Sequence, residues 1–247
     1  MGHPEVLAQP IPQYPLRSYA LRCSRITKAQ QHALHTYWPQ FGIKTTNRPL
    51  DFATVFARIA PVTLEIGFGD GETLATIAEA SPDIDFIGLE VYSPGIGMLL
   101  NKINHKALTN VRVIHADAAT VIPRCFPNHS LTEILILFPD PWPKRRHHKR
   151  RLIQANFVSM LAAKLCVGGT LRLATDSKDY ATAMHHTIAA CGRYQATAPT
   201  VRPTTAYERR GRALKHRIYD LQYEVLAVRD DNICAHSDTK TPYTKTD

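Results

Sequence analysis

Val62-Thr63-Leu64-Glu65-Ile66-Gly67-Phe68-Gly69-Asp70-Gly71-Glu72 is the stretch that decides the fold. Val62 to Gly67 reads as a strand, and Glu72 to Ala80 reads as a helix. Three glycines at alternate positions between them let the backbone turn sharply and approach a ligand closely. The pattern is Gly-x-Gly-x-Gly, not the Gly-x-Gly-x-x-Gly of dinucleotide binders. Nor is it a Walker loop, because no Gly-Lys-Ser/Thr follows. Alone, it is equally an ordinary tight strand-to-helix turn.

Outward from this loop, strands and helices alternate. Further strands are predicted at Asp85–Val91, Asn110–Ala116, Leu131–Phe138 and Thr170–Thr175. The fourth of the five is apolar enough to be buried on both faces. Helices are predicted over Ser93–Lys106, with Pro94 suited to the first turn, and from about Lys178 to Cys191. Between the last two strands Leu152, Phe157, Val158, Leu161, Ala162 and Leu165 recur at helical spacing, and Gly168-Gly169 is expected to end that helix. Such alternation predicts an α/β fold with a parallel sheet covered by helices. Ligands in these sheets bind at the carboxyl ends of the strands. The glycine loop, Glu90, Asp117, Asp140 and Asp176 all fall there.

Glu90 closes the second strand 19 residues after Gly71, where a carboxylate can accept hydrogen bonds from both ribose hydroxyls. Asp117 can accept from an adenine amino group or from nearby backbone. Either acid can also be a helix cap. Three or more carboxylates would repel a pyrophosphate but attract a sulfonium cation, which favours S-adenosylmethionine over NAD. Glu65 can face the amino group of such a cofactor or organise the loop backbone.

The 247 residues suffice for one full α/β domain with extensions. An N-terminal arm and helix are expected over 1–49, the main domain over 50–228, and a polar, disordered tail over 229–247. No apolar run approaches the roughly 20 residues needed to span a bilayer, and no signal segment is evident at the N-terminus. Five scattered cysteines without metal-like spacing fit a reducing cytoplasm. A net charge of +9 favours an anionic partner. No metal site is expected: the adjacent pairs His147-His148 and His185-His186 do not converge. A monomer and a homodimer both remain open.

After the fourth strand comes Phe138-Pro139-Asp140-Pro141-Trp142-Pro143, and then Lys144 to Arg151, with six Lys/Arg in eight residues. The prolines stiffen the turn and give Asp140 a defined direction. Trp142 is either a stacking face for a flat heterocycle or a core anchor. A cationic run is often only a solvated face. Beside a carboxylate and an indole, it points to a site acting on one base of a nucleic acid.

These residues, together with Leu64 to Gly69, Gly88-Leu89-Glu90-Val91, Ala174-Thr175-Asp176 and Thr205-Ala206-Tyr207-Glu208, closely resemble the bacterial tRNA (guanine-N7-)-methyltransferases. Arg17-Ser18-Tyr19 and Thr27 to Gln31 resemble that family's N-terminal segment, and the match runs from about Arg17 to Val228. The resemblance implies a Rossmann-like class I methyltransferase with a mostly parallel seven-stranded sheet. It implies methyl transfer from S-adenosylmethionine to N7 of the variable-loop guanosine, position 46 in standard tRNA numbering. Glu65, Gly67, Gly69, Glu90, Asp117 and Asp140 would then bind the cofactor, with Asp140 also catalytic. Lys144, Asp176, Thr205, Ala206, Tyr207 and Glu208 would bind substrate. Arg146, His147, His148, Lys149, Arg150 and Arg151 would contact RNA, with Lys144 working in the pocket. Asp70 and Tyr92-Ser93 depart from the family pattern in minor ways. Two alternatives stand beside this reading. One is a methyltransferase acting on an exocyclic amino group, although those enzymes carry an Asp/Asn-Pro-Pro-aromatic turn with different spacing. The other is a non-catalytic RNA-binding protein on the same fold. Thr205 and Glu208 also fit a helix-capping box.

Overall fold

β1 (Val62–Ile66) is an interior strand of a seven-stranded sheet, and all five of its residues are buried. The computed structural model describes residues 18–19 and 25–227. The expected arm over 1–16, Arg17, Val228 and the expected tail over 229–247 lie outside the described residues.

In chain order, α1 (Lys28–Thr36), α2 (Trp38–Phe41) and α3 (Phe52–Phe56) precede β1. Then follow α4 (Glu72–Ala80), β2 (Asp85–Glu90), α5 (Ser93–His105), β3 (Val111–His115) and α6 (Ala118–Cys125). After β4 (Leu131–Leu137) come a 3-10 helix (Arg145–Arg150), α7 (Ala155–Lys164), β5 (Leu165–Thr175) and α8 (Lys178–Ala190). The last described elements are β6 (Tyr194–Thr197), α9 (Ala206–Ala213) and β7 (Tyr219–Val225). The strand order is β3-β2-β1-β4-β5-β7-β6. The first five strands are mutually parallel, and β7 runs antiparallel to both β5 and β6.

Two apolar clusters cover the two faces of the sheet. In α5, Ile96, Leu99, Leu100 and Ile103 follow i, i+3, i+4, i+7 spacing and are fully buried. Burying each such side chain contributes roughly 1.5–3 kcal/mol. They pack with Leu74, Ala75 and Ala78 of α4 against Phe86, Val111 and Val113. On the opposite face Tyr180, Met184 and Ile188 of α8 join Val158 and Leu161 of α7 and Val121 and Ile122 of α6. The alternation of β2 serves both clusters, with Phe86 in one and Ile87 and Leu89 in the other.

Residues 28–43, which the sequence places before the main domain, pack directly on it. Thr27 and Gln30 form a reciprocal capping box that starts α1. Ala33 and Phe41 enter the cluster beneath α5, and Ile43 N–H donates to Val113 O at 2.8 Å. The helix expected to end at Gly168-Gly169 stops earlier, at Lys164. Leu165 is already paired with Leu131 in the sheet, and the next partners are Glu133 and Thr170. Residues 166–169 therefore bulge out of the ladder, with Gly168 at φ +77°. Among the described residues, no helix is long and apolar enough to cross a membrane.

Candidate active site

The carboxyl ends of β1, β2 and β4 open into a cleft of about 500 Å³. Gly67 (φ +76°) and Gly69 (φ +61°) form its floor, in a backbone region that side chains rarely adopt. A β-carbon added at either would meet nothing within 4 Å, so this backbone faces open space where a ligand can lie against it. Glu90, at the end of β2, holds the loop in place. One of its oxygens accepts from Gly69 N–H at 2.9 Å. The other accepts from Val91 N–H at 2.7 Å and Tyr92 N–H at 3.0 Å.

Glu65 sits at the end of β1 and is 2% exposed. Its Oε2 has no hydrogen-bond partner among the described residues. Burial, then the charges of Glu90 and Asp70, push its pKa up to about 8. An acid in this state is neutral at pH 7 until a cation arrives beside it. Asp117 both lines the cleft and caps α6, accepting from Ala119 N–H at 3.0 Å. The ligand and cap readings of this residue are therefore compatible.

The turn after β4 forms another wall, with Phe138, Pro139 and Asp140 lining the cleft. Phe138 (φ +54°) and Trp142 (φ +46°) bracket Asp140, and both are non-glycine residues in the left-handed region. Such residues persist only where their surroundings over-determine them. Here the surroundings are specific. Trp142 Nε1 donates to Ser18 O at 3.1 Å. The Arg150 guanidinium lies 3.7 Å from the centre of the indole, and the His147 ring meets its edge at 5.8 Å. Trp142 is thus an anchor covered by its neighbours.

Arg151 is placed differently from the RNA-facing cation expected from sequence. Its side chain is only 4% exposed. Nε donates to Pro141 O at 2.8 Å, next door to Asp140, while Nη2 pairs with Asp179 and lies 3.0 Å from His148 Nε2. The guanidinium stacks 4.8 Å from the centre of the Tyr180 ring. Arg151 therefore ties the turn to α8. Lys144, expected in the pocket, is exposed at the head of the 3-10 helix and outside the cleft lining. Arg146 and Lys149 are exposed beside it.

Thr205, Ala206, Tyr207 and also Arg210 line the remaining side of the cleft. Thr205 caps α9, its Oγ1 accepting from Glu208 N–H at 2.9 Å. Glu208 does not line the cleft. Its buried carboxylate accepts from Arg202 at 2.6 Å and from Arg212 at 2.8 Å. Burial opposes its charge, but these two arginines outweigh burial and hold its pKa below the usual range. Asp176 also lies outside the lining residues, yet its Oδ2 accepts from Tyr207 Oη at 3.2 Å and lies 3.1 Å from His216 Nδ1. Sequence reasoning missed Arg202, Arg210 and His216. Only the density of arginine around Glu208 signalled them. Among the described residues, no group of three or more His, Cys, Asp or Glu side chains could hold a metal ion.

A glycine loop and carboxylates at the ends of parallel strands define an S-adenosylmethionine-dependent methyltransferase of class I. Residues 59–221 match the family model described as a putative methyltransferase. The fold is similar to that of the 16S rRNA methyltransferase KamB, with a TM-score of 0.55 and 17% identity, covering 71% of this chain and 93% of that one. A tRNA (guanine-N(7)-)-methyltransferase from Nitrosomonas europaea is 48% identical over 84% of this chain and 95% of its own length. Another, from Hydrogenovibrio crunogenus, is 42% identical over 90% and 96%. The chain belongs to the tRNA (guanine-N(7)-)-methyltransferase family, and its cofactor is S-adenosylmethionine. The cleft fits that molecule, with open space above the glycines and, on the lining residue Glu65, a buried carboxyl oxygen that has no hydrogen-bond partner among the described residues and suits a cationic group.

The raised pKa of Glu65 has a definite sign. Between pH 4.5 and about 8 the ligand-free folded chain holds a proton that the unfolded chain releases. This contribution to stability is fully present below pH 4.5 and is lost as pH rises to about 8. Glu65→Gln removes the titration. Denaturant melts from pH 5 to 9 are expected to show wild type losing stability relative to the variant, by on the order of a few kcal/mol at most. Parallel curves would refute the raised value.

Proposed function

We propose that this chain methylates N7 of a guanosine in tRNA, the variable-loop guanosine at position 46 in standard numbering, and works in the cytoplasm. The observation that carries this reading is one cleft joining the glycine loop, the strand-end acids and the turn holding Asp140. The free thiols Cys125, Cys166 and Cys191 are consistent with a reducing compartment.

When bound, S-adenosylmethionine supplies an electrophilic methyl group on a sulfonium centre. Gly67 and Gly69 would pass beneath it, Glu90 and Asp117 would receive its adenosine, and Glu65 would meet a cationic group. Guanine N7 presents an in-plane lone pair and no proton, so no side chain must act as general base. The contribution of this chain is then positioning, which supplies up to roughly 7–11 kcal/mol in favourable cases. Asp140 would accept from the N1–H and amino edge of guanine and direct N7 inward. As the N7–methyl bond forms, the methyl–sulfur bond would break and the sulfur would leave as a neutral thioether; the positive charge would pass to the base, where Asp140 would stabilise it. Tyr207, with Asp176 behind it, would support the base from the α9 side, and Thr205 and Ala206 would shape that wall. Glu208 would act through α9 and the Arg202 and Arg212 it holds, without touching the base. Lys144, Arg146 and Lys149 would meet phosphates, with His147, His148 and Arg150 packed behind them against the turn.

Incubation of unmodified tRNA with labelled cofactor, followed by base mapping, tests the reaction. Label is expected at N7 of the variable-loop guanosine and lost when that guanosine becomes adenosine. Methyl on an exocyclic amine, or none at all, would sink the proposal. Asp140→Asn is expected to lower kcat by roughly 10²–10³-fold, with tRNA affinity nearly unchanged. A variant with wild-type turnover would remove Asp140 from the chemistry.

Arg151→Lys keeps the charge but deletes the Nε–H bond to Pro141 O. Single-turnover rates are expected to fall by roughly 10–100-fold, with the salt dependence of tRNA binding unchanged. A smaller salt slope at a normal rate would instead return Arg151 to the RNA surface.

A further inference from the structure

Beyond the Lys144–Arg151 run, Arg209, Arg210, Arg212, Lys215 and Arg217 place five more cations within nine residues. They belong to α9 and the turn that follows it, and all five are exposed. Arg212 is committed to Glu208 at 2.6 Å. The other four have no carboxylate within 4.0 Å among the described residues, although Arg217 lies 5.2 Å from the Tyr219 ring centre. An exposed helix face of one sign normally carries interspersed acids, because like charges at i, i+4 are destabilising.

The mounting of this face is firm. Arg202 bonds Glu208 at the base of α9, and its Nε also donates to Asp220 of β7 at 2.8 Å. Tyr207 leans on Phe138, with ring centres 5.1 Å apart, and donates to Asp176. Arg210 reaches the cleft lining itself. Arg210 is thus held at the mouth of the cleft, and the other four cations lie on the same helix and the turn after it, a different element from the 3-10 helix.

We infer that the exposed face of α9 and the turn to β7 form a second phosphate-binding rim of the cleft, taking the RNA backbone on one side of the target nucleotide while the 3-10 helix takes it on the other. This rests on the reading of the site as an RNA-base methyltransferase. A nucleotide inserted into a cleft leaves its backbone leaving the mouth in two directions. Cations on one rim alone would meet only one of them. Exposed Leu214, between Arg212 and Lys215, offers an apolar contact in the middle of the rim.

The test is tRNA binding across a salt series for wild type, Lys215→Gln, and the triple variant Arg209→Gln/Lys215→Gln/Arg217→Gln. Each lost phosphate contact is expected to reduce the slope of log K against log salt by about 0.7–0.9. The triple variant should lose about 2–3 in slope, while calorimetric affinity for S-adenosylmethionine stays at the wild-type value. Should the triple variant fold poorly, the single variant still reports one contact. Slopes equal to wild type in a protein that binds its cofactor would overturn the rim. Wild-type protein that fails to methylate tRNA would refute the proposed function instead, a separate result. Arg146→Gln/Lys149→Gln, on the first rim, should lower the slope independently, and combining both sets should add.

Discussion

Carboxyl groups crowd the carboxyl edge of the sheet because parallel strands all end there, and Glu65, Glu90, Asp117, Asp140 and Asp176 occupy successive ends. Left bare, so much negative charge would push the edge apart. Four of the five answer the constraint in different ways. Burial favours the neutral form of Glu65, Glu90 is bound by three backbone N–H groups, Asp117 caps α6, and Asp176 leans on Tyr207 and His216. The centre of the cleft is left acidic and the rim basic. That polarity suits a cationic cofactor inside and a polyanion outside.

The turn carrying Asp140 meets a different demand, which is stiffness. Three prolines limit its freedom, and two left-handed residues, at about 1–3 kcal/mol each, add strain. Bonds from Arg151 and Trp142 to neighbouring backbone offset that strain. The basic run that looks uniform in sequence is therefore divided by position. Arg150 and Arg151 brace the turn from one side, and Arg146 and Lys149 remain in solvent.

Much of the fold was legible because the apolar pattern is regular. α4 was predicted at its observed limits, and the first four strands were placed to within one or two residues. β6 and β7 were not located, because they fall outside the helix–strand alternation that marked the first five strands, although Tyr219–Val225 does alternate apolar and polar residues. Gly168-Gly169 misled because glycine marks both helix ends and bulges, and only the pairing of Leu165 with Leu131 decides between them. For the site, the glycine loop, Glu90, Asp117 and Asp140 were readable from their spacing and do meet in one cleft. Arg151 and Glu208 were not, because burial of a charged side chain depends on how the fold places its partners, here Pro141, Asp179 and Arg202.

β7 lies between β5 and β6, although it is made after both. β6 pairs with no other strand in this sheet. A chain emerging from the ribosome can assemble β3-β2-β1-β4-β5 as each crossover is completed. β6 must wait, and so must the segment carrying Tyr207, until residues 219–225 are free to insert. Among the described elements, the side of the cleft that carries Tyr207 is thus the last to take shape during synthesis. A chain truncated before β7 would retain the glycine loop and its acids without a seated partner for them across the cleft.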